Sequence, residues 1–79
     1  MNTPAEYEAT KATLIATDPD YRELLKEHHL YEARLHELSA IHFPTPEEQD
    51  EEQDLKLRKL KVKDKMEALL RQSLASTAT

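Results

Sequence analysis

Four prolines, at positions 4, 19, 44 and 46, and no glycine in 79 residues constrain this chain more than any other feature. Proline breaks the hydrogen bonding of a helix interior but suits the first helical position, where its fixed φ is already correct. Three of the four follow a capping residue, in Thr3-Pro4, Asp18-Pro19 and Thr45-Pro46. Glu6 and Glu48 stand three residues after the two threonines, so each can close a capping box. Asp18 also lies where a preceding helix must stop, because a residue before proline disfavours the α region. The missing glycine removes tight two-residue β-hairpin turns and the phosphate-cradling GxGxxG and GxxxxGK loops. The chain reads as helices separated by sharp stops.

The longest helix is expected from Pro46 to Leu74. Its first eight residues after the proline include Glu47, Glu48, Asp50, Glu51, Glu52 and Asp54, and the bases Lys56, Arg58, Lys59, Lys61, Lys63 and Lys65 follow. Acid before base suits the helix macrodipole, and Glu52–Lys56 and Asp54–Arg58 are favourable pairs four residues apart. Leu55, Val62, Met66, Leu69 and Leu70 share one side of a 3.6-residue wheel. A second helix, 18–42, carries Tyr21, Leu24, His28, Tyr31, Leu35, Leu38 and His42 at alternating three- and four-residue spacing, a coiled-coil-like seam. The turn Phe43–Thr45 is too short for anything but an antiparallel return. Folding about Pro44 sets Leu35 against Leu55, His28 against Leu60 or Val62, Leu24 against Met66 and Tyr21 against Leu69. Phe43 is expected to plug the bend, and the turn end to be wetter and looser than the open end. Residues 1–17 form a thin-faced helical arm with Tyr7, Leu14 and Ile15, which either docks or frays. The stretch from Ser73 to Thr79 is small and polar, and residues 75–79 read as a flexible tail.

Hydrophobic residues make up 38% of the chain, charged residues 34%, and the formal net charge is −5. A single small domain of this make-up has little material for a self-sufficient core, and without cysteine neither a disulfide nor a thiolate-bound metal can staple it. Association is the remaining route. No apolar run is long enough for a membrane span or a secretory core, so a cytoplasmic protein is expected.

At the hairpin, Asp18-Pro19-Asp20-Tyr21, Leu24, Glu27-His28 and Leu35, together with Lys59-Leu60-Lys61-Val62-Lys63-Asp64, Met66 and Leu70, resemble the YdcH-like family of small bacterial proteins. The likeness covers about Asp18 to Gln72. It departs at Tyr31-Glu32, where the family usually carries Leu-Asp, and in the longer arm before Asp18. The resemblance implies a helical hairpin that associates with copies of itself. It implies no activity, since the family is one of uncharacterised function.

Each candidate chemistry has a plainer counterpart. His28, Glu32 and His36 lie at four-residue spacing, and His29 adds a further imidazole, but HExxH is absent and three ligands strung over two turns fit one ion poorly. No metal or other cofactor is therefore assigned; the plainer reading has His28 bonded across the hairpin and the other histidines solvated. The acidic run lacks calcium-loop spacing and reads as a solvated helix start. Lys56, Lys59 and Lys63 roughly share a face that could touch RNA or DNA, against the opposition of the net negative charge and with no interleaved aromatics. Serine occurs only at Ser39, Ser73 and Ser76, and no nucleophile–base arrangement suggests an enzyme. Leu30 and Ile41 on the second helix, and Leu57 and Leu60 on the third, fall off the seam and read as an association face.

The expectation is an all-α antiparallel helical hairpin with a short N-terminal helix, assembling into a helical bundle as a dimer or higher homo-oligomer. Functionally it is a non-catalytic protein–protein interaction module, a small acidic adaptor or regulator with an unidentified protein partner and no membrane role. The alternative is a weak nucleic-acid binder using Lys56, Lys59 and Lys63.

Overall fold

The computed structural model describes residues 3–77, with the side chains of 76 and 77 excepted. Three helices account for nearly all of it: α1 (Pro4–Thr17), α2 (Pro19–Ser39) and α3 (Pro46–Thr77). There are no strands among the described residues.

All three starts are built by the residues that announced them. Thr3 Oγ1 accepts from the Glu6 amide at 3.2 Å, and the Glu6 carboxylate accepts from the Thr3 amide at 3.4 Å. Thr45 and Glu48 repeat the arrangement at 3.1 and 2.8 Å. Asp18 serves two helices at once: its N–H donates to the Leu14 carbonyl at 2.8 Å, closing α1, while its carboxylate accepts from Asp20 and Tyr21, opening α2. One residue thus replaces an interhelical loop, and α1 turns back along the hairpin.

At 1.5 Å per residue, α3 is about 48 Å long, nearly the full 53 Å of the molecule's long axis. α2 returns along it, and α1 touches both at the open end of the hairpin. Here Leu14, Tyr21, Leu70 and Leu74 form the main buried cluster, with Met66 and Leu69 packed against it. Val62 is buried midway along α3, and Leu38 toward the bend. Leu24, His28, Tyr31, Leu35 and Leu55 are half-buried along the same seam.

Three local expectations change. Helix α2 stops at Ser39, short of His42; the Ser39 hydroxyl donates to the His36 carbonyl at 2.7 Å, and such backbone bonding competes with helix continuation. Phe43 does not plug the bend: it is 89% exposed, its ring edge-on to His42 at 6.0 Å. Leu38, 3% exposed, is buried near the bend, while the main buried cluster lies at the open end, where the sequence places the better apolar pairs. Helix α3 runs past Leu74 to Thr77, since nothing in that stretch breaks it, and Leu74 belongs to the core and not to a tail. Residues 78–79 lie outside the described residues. The arm docks through a single buried side chain, Leu14, while Tyr7 and Ile15 stay largely exposed.

So small a core makes each member count. Leu14→Ala and Leu74→Ala should each cost roughly 2–3 kcal/mol, the lower part of the range for buried leucine truncation. Phe43→Ser should leave stability unchanged. Denaturant titration followed by circular dichroism checks both; equal effects at Leu74 and Phe43 would contradict the packing.

Candidate functional site

Two regions bring functional side chains together: the cleft where α1 crosses the hairpin, and the outer faces of α2 and α3.

A cavity of about 490 Å³ opens between the three helices. Ile15, Tyr21, Leu25, Met66 and Leu70 give it an apolar floor, and Lys11, His28, His29, Glu32, Lys63 and Glu67 surround it with charge. Burial pushes the Tyr21 phenol above its ordinary value; Lys11 opposes that shift and Glu8 adds to it. On α2, His28 Nδ1 lies 2.8 Å from a Glu32 oxygen one turn on. The histidine is thus bonded along its own helix and not across the hairpin as expected. Lys59 of α3 reaches the other Glu32 oxygen at 3.6 Å and makes the cross-helix link instead. His28, His29 and Glu32 form a group in which one ligand atom from each lies within 4.8 Å of the other two, and His36 is outside it.

Nearer the bend, Arg34 clamps the hairpin. Its guanidinium donates to both oxygens of Glu51 at 2.8 and 2.9 Å and to Glu37 at 3.0 Å. Bidentate geometry of this kind fixes register as well as distance. The hydrogen bonds hold the Glu51 carboxyl below its ordinary value and raise Arg34 further above its own. The two acid–base pairs read from α3 are present, Glu52–Lys56 and Asp54–Arg58, both at 2.8 Å.

Of the proposed association face, Leu30 is 61% exposed, Leu57 52% and Leu60 53%. Ile41 is half-buried, because α2 ends before it and its position no longer follows the helical wheel. Leu60 borders a shallow groove between α2 and α3 with Leu35 and Lys59, while Leu30 borders another beside Leu25 and Arg22. Of the three lysines considered for nucleic acid, Lys56 and Lys59 face carboxylates, which lowers the charge that face can offer a phosphate. The third, Lys63, lies at the cavity.

Sequence reasoning missed Leu25, Leu74, the Arg34–Glu51 clamp and the grouping of His29 with His28 and Glu32. Leu25 sits one step off the seam and lines the cavity between the three helices. The clamp carried a signal, an arginine and a glutamate at opposing hairpin positions, that an apolar alignment does not weigh.

The class is a small all-α protein built on a helical hairpin, without a membrane-crossing helix among its described residues. More narrowly, the chain belongs to the family described as protein of unknown function DUF465, whose model matches residues 22–70, and the YdcH-like family belongs to it. No curated protein and no solved structure matches the chain.

The clamp makes a pH prediction. Glu51 binds its proton less readily folded than unfolded, so its contribution is present above the ordinary carboxylate range and lost as pH falls through its lowered value. Glu51→Gln should therefore flatten the acid limb of a stability–pH curve measured by thermal melting. Parallel curves for the two proteins would contradict this.

Proposed function

We propose that this protein is a non-catalytic helical interaction module of the cytoplasm, a small acidic adaptor or regulator that self-associates through the outer faces of its two long helices. The observation that carries the reading is surface. A compact monomer of 9.2 kDa exposes about 4,900 Å², whereas this chain exposes 6061 Å². Its Cα radius of gyration is 15.8 Å, against about 11.6 Å for a compact chain of the same length. The excess of about 1,100 Å² is larger than the roughly 800 Å² per partner that a standard interface covers. Leu30, Leu57 and Leu60 supply apolar side chains to such an interface, and a second hairpin closing a four-helix bundle would cover them. Binding to RNA or DNA has less support, since two of its three lysines face carboxylates of the same chain.

Light scattering coupled to gel filtration tests the association. The wild-type chain should run at a mass at least twice 9.2 kDa, and the Leu57→Glu, Leu60→Glu double variant should return to one copy while keeping its helical spectrum. A wild-type chain that stays at one copy at high micromolar concentration would end the reading.

A further inference from the structure

We propose that His28, His29 and Glu32 form a binding site for a borderline divalent transition metal such as Zn²⁺. The three residues occupy positions i, i+1 and i+4 of α2, so Glu32 stands one turn above both histidines and completes a triangle on the helix surface. This differs from the string His28, Glu32, His36, whose members lie along two turns. Replacing His36 with His29 gathers the donors into one place: their ligand atoms lie within 4.8 Å of one another.

Two imidazoles and a carboxylate are a donor set that zinc accepts, leaving a fourth position for water or an external ligand. His28 Nδ1 and Glu32 Oε1 already face each other 2.8 Å apart. To hold a zinc ion with bonds of 2.0–2.2 Å, these two atoms need open only to about 3.3 Å. The rest of the setting tolerates the ion. Lys59 pairs with the second Glu32 oxygen at 3.6 Å, not with the oxygen that faces His28. Lys63 and Lys11 line the same cavity, and Glu67 on its α3 wall offsets part of their charge. His28 is half-buried at the cavity edge and His29 is exposed, so the site is open to an entering ion.

The test is calorimetric titration of the full, tag-free chain with Zn²⁺ alone. One ion per chain should bind with a Kd of about 1 µM or tighter. His29→Ala, a change at an exposed position that the fold does not need, and Glu32→Gln should each weaken binding about tenfold or more, as even outer-shell changes at metal sites commonly do. His36→Ala and His42→Ala should leave it unchanged. Absence of stoichiometric binding, or equal weakening by His36→Ala and His29→Ala, would overturn the site, the latter by revealing only adventitious histidine affinity. Circular dichroism of each variant separates loss of a ligand from loss of fold.

Discussion

The molecule depends on one small apolar contact, where Leu14, Tyr21, Leu70 and Leu74 meet at the open end of the hairpin. Two antiparallel helices alone have a single seam between them. α1 turns that seam into a three-sided interior, which is why the main buried cluster gathers there. Asp18 makes the arrangement possible by ending α1 and starting α2 with no intervening loop. The arm therefore has little freedom to lose on docking, and one buried leucine suffices to hold it.

Along the rest of the hairpin, polar contacts take over from apolar ones. Arg34 with Glu51 and Glu32 with Lys59 cross between α2 and α3 where the seam is only half-buried. Exposed ion pairs contribute little stability, but a bidentate arginine is particular about geometry. These links select the register while the open end supplies most of the burial. The family match runs over residues 22–70, so Leu14, Tyr21 and Leu74 lie outside it. The three-helix end is the part of this chain that its family resemblance describes least.

Helix starts were legible because capping is local chemistry: Thr3, Asp18 and Thr45 act on amides two or three residues away. The long-range features were less so. Phe43 reads as a plug only if its ring points inward, and the chain direction at the bend turns it to solvent. Leu74 reads as the end of a helix until α1 is placed beside it. His29 lies off the two-helix seam and joins His28 and Glu32 only through the triangle that one helical turn creates. In each case the missing information was the position of a third element or a direction in space, which residue spacing along one strip of a wheel does not contain.

Surface completes the account. The chain is long, thin and acidic, with more area than its mass requires and large leucines on its outer helices. Its main buried cluster lies at one end, and that localisation is the claim on which the rest stands. Residue-resolved amide hydrogen exchange tests it most directly. The account predicts that α1 amides and those of α3 near Leu70 are protected to the same degree and lose protection together as denaturant is added. Fast exchange throughout α1 alongside a fully protected hairpin would contradict it.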